Sequence, residues 1–301
     1  MNWKRLSVDT TEEKSDLVAS IMMDAGANGV EMIGGSVPDT LGDEYAPDEA
    51  AADTVRVTAY FGETGFDALL EEIKTRLGEA FSEPGLFSSD FDIDTVADTD
   101  WNENFRKSFK AFRAAGRIIV KPTWEDIAAE PGDIILEIDP GMAFGTGDHE
   151  STRLCLELLQ KYMKPGAHVL DVGCGSGILG IAAMKLGAGY AQGLDQDPVS
   201  VSVAMENALN NGVAMDVRQS DLLQNAAGGP YSIVIANIVA DILIRLNRDA
   251  AAYLAPGGTY ILGGIIEERL DDIRASLVLN GFDLIETLAM ADWRAIAARK
   301  S

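Results

Sequence analysis

Val169-Leu-Asp-Val-Gly-Cys-Gly-Ser-Gly177 is the stretch that decides the fold of this 301-residue chain. An apolar run containing one acid, Asp171, breaks into glycines at alternate positions, Gly173, Gly175 and Gly177. A helical pattern then runs from Ile178 to Leu186. The pattern predicts a buried parallel strand, a tight turn and a helix N-terminus, because glycine lets the backbone take left-handed angles and approach a ligand closely. Eighteen residues after Gly177, a second acid, Asp195, ends another short apolar run. Two acids at neighbouring strand ends around a glycine turn describe a nucleoside-binding crevice.

Two cofactor chemistries compete for that crevice. A dinucleotide fingerprint needs G-x-G-x-x-G and an acid about 20 residues further on. Counted from Gly173 the pattern fails at Ile178; counted from Gly175 it is met by Gly175, Gly177 and Gly180. Spacing alone leaves both open. Asp171 separates them, since a carboxylate beside the turn repels a pyrophosphate and attracts a cation. S-adenosylmethionine carries a sulfonium and an ammonium group and no phosphate, so the sequence favours this methyl donor as cofactor. In that reading Asp171 faces the donor's ammonium group, Gly173 and Gly175 lie against its methionine part, and Asp195 takes the ribose hydroxyls.

Hydrophobic residues make up 47% of the chain, enough for a packed core in one large or two modest domains. No apolar run reaches the roughly 18 residues of a membrane span, and the polar N-terminus does not resemble a signal peptide. Cys155 and Cys174 make neither a disulfide framework nor a zinc-ligand spacing, and His149 and His168 are the only histidines. The expectation is a reduced, cytoplasmic protein with no metal site. The net charge of −24 is uneven: residues 1–100 hold 23 acids against 6 bases. Such a field disfavours nucleic acid and anionic membranes and attracts a basic partner. A solvated acidic surface without a partner explains the charge equally well.

The first hundred residues read as β-α-β-β-α-β: strands at Lys4–Val8, Gly29–Ile33, Val55–Phe61 and Phe91–Val96, and helices from a Thr10-Thr-Glu-Glu13 cap to Asp24 and over Gly65–Leu77. Ser36–Asp53, acidic and interrupted by Pro38 and Pro47, reads as a mobile loop. The whole predicts a small ferredoxin-like α+β domain over 1–100. Trp101, Phe105, Phe109 and Phe112 then fall at helical spacing, predicting a linker helix over 101–113. From 114 to 301 a larger domain is expected. Strands at 168–172, 190–195, 214–219, 231–237 and 259–264 alternate with helices, and a hairpin of Phe282–Met290 and Trp293–Ala298 closes the set. That predicts a doubly wound α/β sheet, mostly parallel with an antiparallel edge.

Other side chains fall at the ligand-binding ends of these strands. Asp197, before Pro198, reads as an N-cap. Asp221 is placed to meet an adenine amino group or to cap a helix. Asn237 ends the apolar run Ile235-Ala-Asn237-Ile-Val-Ala240, where a buried amide is costly without partners; its carbonyl can orient an incoming amine, or the residue can cap the next helix. Pro140–Gly147 reads as a glycine-interrupted lid. Thr146 lies within it, and Thr152, one turn into the following helix, can reach the donor's carboxylate. His149 is a general-base candidate, though a lone loop histidine is more often structural.

Residues 140–152, 169–180, 194–198 and 235–240, with Trp101-Asn-Glu-Asn-Phe105, together resemble the ribosomal protein L-eleven methyltransferases (the PrmA family). The resemblance covers most of the chain from Trp101 onward. It implies a class I methyltransferase fold, an N-terminal domain that recognises a basic ribosomal protein of the large subunit, and methylation of that protein's α-amino group and lysine side chains. It also implies donor contacts at Thr152, Gly173, Asp195 and Asn237. The chain departs from the family at Asp148 and Ser151, where threonines are usual, and in the length of its acidic loop. Two alternatives stay open: a methyltransferase acting on another protein or a small molecule, and a non-catalytic donor-binding scaffold.

Overall fold

The computed structural model describes residues 2–27, 29–34, 54–63, 65–80, 91–97, 109–139, 145–227 and 229–300. The acidic loop Ser36–Asp53, the aromatic stripe from Trp101 to residue 108 and the first part of the Pro140–Gly147 segment lie outside them. The chain divides into two compact units, Met1–Ser108 and Phe109–Ser301.

The first unit contains β1 (Asn2–Thr11), α1 (Glu12–Asp24), β2 (Gly29–Gly34), β3 (Thr54–Gly62), α2 (Phe66–Ala80) and β4 (Asp92–Ala97). Its sheet runs β2-β3-β1-β4 with every neighbouring pair antiparallel. Alternation along the strands turns Leu6, Val8, Val57 and Ala59 inward against Val18, Met22, Ile73 and Leu77 of the helices. This is the ferredoxin-like sandwich. The Thr10–Glu13 cap forms differently from expectation: Thr11 holds the N-cap position, but its hydroxyl makes no capping bond, because β1 runs straight into the helix.

The second unit opens with a three-stranded sheet of β5 (Phe112–Ala115), β6 (Ile118–Lys121) and β7 (Ile134–Glu137). Phe112 and Arg113 therefore lie in a strand and not in the expected linker helix. Gly116, at φ 49°, reverses the chain, and Arg113 fastens the turn by donating to the Gly116 carbonyl at 3.0 Å. There follow α3 (Glu150–Tyr162), β8 (His168–Val172), α4 (Ile178–Lys185), β9 (Tyr190–Asp195), α5 (Pro198–Asn210), β10 (Asp216–Gln219), β11 (Tyr231–Asn237), α6 (Ala240–Tyr253), β12 (Leu254–Ile266), α7 (Leu270–Leu279), β13 (Phe282–Met290) and β14 (Trp293–Lys300).

These strands form one seven-stranded sheet in the order β10-β9-β8-β11-β12-β14-β13. β10 to β12 are mutually parallel across the sheet; β14 is antiparallel to both β12 and β13, so the hairpin forms the edge. Buried side chains of α3 and α4 pack on one face and those of α6 and α7 on the other. With both faces covered, the central strands are near-continuous apolar runs, and any polar residue on them needs a reason to be there.

Candidate functional site

From β8 the chain steps outward through β9 to β10, then returns to the far side of β8 for β11 and β12. That reversal opens a crevice at the carboxyl ends of β8 and β11. Gly173, Gly175, Asp195 and Asn237 all stand at the carboxyl ends of β8, β9 and β11.

Gly173, Gly175 and Gly177 have φ of 72°, 51° and 80°. A Cβ on Gly173 would lie 2.4 Å from Ile238 Cγ2, so the turn needs glycine for space as well as for backbone angle. The Gly173 and Cys174 N–H groups donate to the Leu194 carbonyl at 2.7 and 3.0 Å, tying the turn to β9. The Gly175 N–H donates to Asp195 Oδ2 at 2.9 Å, and the Asp197 N–H to Asp195 Oδ1 at 3.0 Å. The half-buried Asp195 carboxylate is thereby held in one orientation, and each oxygen keeps a second lone pair. Asp197 caps α5, accepting from the Val199 and Ser200 N–H groups at 3.0 and 3.2 Å.

Asp171 is only 1% exposed. Its Oδ2 accepts from the Gly180 N–H at 2.9 Å, so a carboxylate on β8 serves the first turn of α4, where Gly177 at the cap position has no side chain. Oδ1 is buried and has no partner. Burial pushes this carboxyl up to about 7, against the opposing pull of the Gly180 N–H and with the Asp195 charge adding to the rise. The folded state therefore binds a proton that the unfolded state releases between pH ~4 and ~7. Stability contributed at this site is full below ~4 and lost as pH rises toward 7. Asp171→Asn is expected to flatten this part of the dependence. A thermal-melt difference between the two proteins that stays constant from pH 4 to 7 would contradict the assignment.

Asn237 and Thr152, 85 residues apart, meet: Asn237 Nδ2 donates to Thr152 Oγ1 at 3.2 Å. Thr152 is 1% exposed in the first turn of α3, and its own proton remains to be given. Asn237 Oδ1 is buried without a partner. Gly263, on neighbouring β12, makes room for this arrangement. A Cβ there would lie 2.3 Å from Cys155 Sγ and 2.8 Å from Asn237 Oδ1.

His149 is the N-cap of α3. Its Nδ1 accepts from the Ser151 N–H at 3.2 Å, and its ring meets Trp293 edge-on at 4.7 Å between centroids. The structural role is thus filled. Thr146 donates to Asp148 within its own loop. Asp221 is exposed; Gln224 Nε2 donates to it at 3.2 Å, and the Arg245 guanidinium forms an ion pair with it at 3.8 Å. Burial pushes both cysteine thiols upward, which keeps them protonated and inert. Among the described residues no metal-ligating cluster occurs.

One element of the site gives no sequence signal of its own. Ser176 Oγ donates to the Gly145 carbonyl at 2.6 Å, fastening the segment before α3 to the glycine turn. A Cβ at Gly145 would fall 2.9 Å from that same Oγ, which is why the loop carries glycine there.

The arrangement can be set against known proteins. Residues 2–301 match the family described as ribosomal protein L11 methyltransferase (PrmA). The chain belongs to this family. Ribosomal protein L11 methyltransferase of Caldicellulosiruptor bescii is 40% identical over 305 residues, spanning 100% of both chains. Its counterpart in Pelotomaculum thermopropionicum is 41% identical over 309 residues, spanning 99% of both. The crystal structure of ribosomal protein L11 methylase from Lactobacillus delbrueckii subsp. bulgaricus superposes with a TM-score of 0.61 at 32% identity, covering 64% of this chain and 100% of that one. A PrmA-family chain with this sheet is a class I methyltransferase that uses S-adenosylmethionine.

Proposed function

We propose that this PrmA-family enzyme methylates the α-amino group and lysine side chains of the large-subunit ribosomal protein L11, in the cytoplasm. The observation that carries the chemistry is the buried, unpartnered Asn237 Oδ1 beside Thr152 at the switch point. An acceptor in that place suits an amine N–H. The names of the full-length relatives supply the substrate protein, and the acidic N-terminal hundred residues suit a basic one. No helix among the described residues is long and apolar enough to cross a membrane.

The residues present fit the donor. Asp171 Oδ1 and Asn237 Oδ1 are both acceptors awaiting donors, and the Gly180 N–H at the α4 terminus is already taken by Asp171, which disfavours a phosphate there. When bound, S-adenosylmethionine supplies a methyl group on a sulfonium, which an amine takes in line, leaving a neutral thioether. Asp195 holds the ribose hydroxyls through its second lone pairs. Gly173 and Gly175 give the methionine part backbone to lie against, and Asp171 meets its ammonium group. The Thr152 hydroxyl donates a hydrogen bond to the donor's carboxylate. Asp221 meets the adenine amino group by exchanging its contact with Gln224. Asn237 orients the amine, which must arrive unprotonated although lysine titrates near ~10.4 and an α-amine near ~8. With His149 Nδ1 engaged by Ser151, the proton leaves to water, and positioning contributes up to ~7–11 kcal/mol.

Incubation with radiolabelled donor and purified large-subunit ribosomal proteins is expected to label one basic band, with label on its N-terminal residue and lysines. Label confined to other proteins would redirect the substrate assignment. Bound donor without any label would leave a scaffold. An ammonium beside Asp171 Oδ1 also inverts that carboxyl's preference. Donor affinity is therefore expected to rise with pH through about 7, with proton release seen by calorimetry in buffers of different ionisation enthalpy. Uptake of a proton would refute the pairing.

A further inference from the structure

Three asparagines crowd the end of α5 (Asn207, Asn210, Asn211), and two of them, Asn207 and Asn211, are about 95% buried. Asparagine is a poor helix former, and its amide is costly to bury unsatisfied. Each of these two amides grips the backbone of another element. Asn207 Nδ2 donates to the Ser176 carbonyl, inside the glycine turn, at 2.9 Å. Asn211 Oδ1 accepts from the Glu137 N–H at 2.9 Å, and its Nδ2 donates to the Glu137 carbonyl at 2.7 Å. It thus imitates a strand neighbour for the last residue of β7, which is an edge strand. The same Nδ2 donates to the Asn207 carbonyl at 2.8 Å, joining the two clamps.

The other end of α5 holds the same turn. Asp195, three residues before the helix, takes the Gly175 N–H, and a Cβ on Gly177 would lie 3.0 Å from Ala204 Cβ. The turn is therefore gripped by its N–H at Gly175 and by its C=O at Ser176. Ser176 Oγ in turn holds Gly145, so the end of β7 and the segment before α3 are both fastened, directly or through Ser176, to one turn of α5.

We infer that Asn207 is a positioning residue for methyl transfer: its bond to the Ser176 carbonyl sets the turn that receives the donor. This rests on the reading that the glycine turn holds the donor. The loss of this bond is expected to fall on the donor. Asn207→Leu, similar in size but without the donor, leaves a buried carbonyl unsatisfied in the donor turn. It is expected to weaken adenosylhomocysteine binding about tenfold, with the KM for the ribosomal protein within twofold. Asn211→Ala, which releases the end of β7 and not the donor turn, is the control: adenosylhomocysteine affinity is expected to stay within twofold.

Calorimetry with adenosylhomocysteine and steady-state methyl transfer on the full-length enzyme read both. Hydrogen exchange is expected to rise at residues 173–178 in Asn207→Leu and at residues 134–139 in Asn211→Ala. Should Asn207→Leu fail to fold, Asn207→Ala, which favours the helix and also removes the NH2 group, reads the same bond. Unchanged adenosylhomocysteine affinity in Asn207→Leu, or an equal loss in Asn211→Ala, overturns the inference. Failure of the unmodified enzyme to bind adenosylhomocysteine overturns instead the reading of the turn on which it rests.

Discussion

Asn237→Ala is expected to lower turnover by about 10²-fold, the scale of a misplaced reacting group, while adenosylhomocysteine affinity stays within a few fold. Asn237 spends a buried acceptor: Oδ1 lies out of solvent without a partner, a state that costs ~1–3 kcal/mol. Against this stands its bond to Thr152 at 3.2 Å, worth ~1 kcal/mol. Alanine removes both, so the melting temperature is expected to hold or rise slightly even as turnover collapses. That opposition distinguishes a group kept for chemistry from one kept for packing. Gly263 supports the same conclusion, because the sheet forgoes a side chain on β12 to leave space for this amide. If the variant melts several degrees lower and loses turnover only in proportion to the folded fraction, Asn237 is structural and the amine needs another orienter.

Much of this geometry is legible in the sequence where one residue breaks its own local pattern. Asp171 and Asn237 interrupt apolar strands at their carboxyl ends, and an acid or amide in such a place announces a ligand or a partner. Their strands follow from apolar runs alone, and the alternation of strands with helices gives a doubly wound, mostly parallel sheet. Short or interrupted elements read less well. Phe112–Ala115 presents aromatic spacing that suits a helix, yet four residues beside a glycine turn pair as a strand with β6. β12 begins at Leu254, before Pro256-Gly-Gly258, because Leu254 pairs with Tyr231 across a register shift; in sequence that tripeptide reads as a turn. Long-range side-chain clamps are the least visible. Nothing near Ser176 points to Gly145, and nothing near Asn211 points to Glu137 74 residues away. Gly263 carries no signal because its reason is the side chains of Cys155 and Asn237, which come from other elements.

Asp195→Ala should produce the opposite kinetic pattern to Asn237→Ala. The Asp195 carboxylate is oriented by two backbone N–H groups, those of Gly175 and Asp197, at 2.9 and 3.0 Å. Each oxygen then offers one lone pair to a ribose hydroxyl. Hydrogen bonds to a charged group contribute ~1.5–3 kcal/mol each, so losing two weakens adenosylhomocysteine binding by at least about 10²-fold. Alanine also leaves the Gly175 N–H without its acceptor, which loosens the turn and adds to the loss. Asp195→Asn, which keeps one carbonyl acceptor but turns an NH2 group toward a backbone N–H, should fall between. The ribose is remote from the transferring methyl, so this binding is shared by ground and transition states. Turnover at saturating donor is then largely retained while the donor KM rises. Calorimetry showing unchanged affinity in Asp195→Ala would remove the carboxylate from the donor site. A loss of turnover at saturation as deep as that of Asn237→Ala would mean that the turn positions the methyl group as well as the nucleoside.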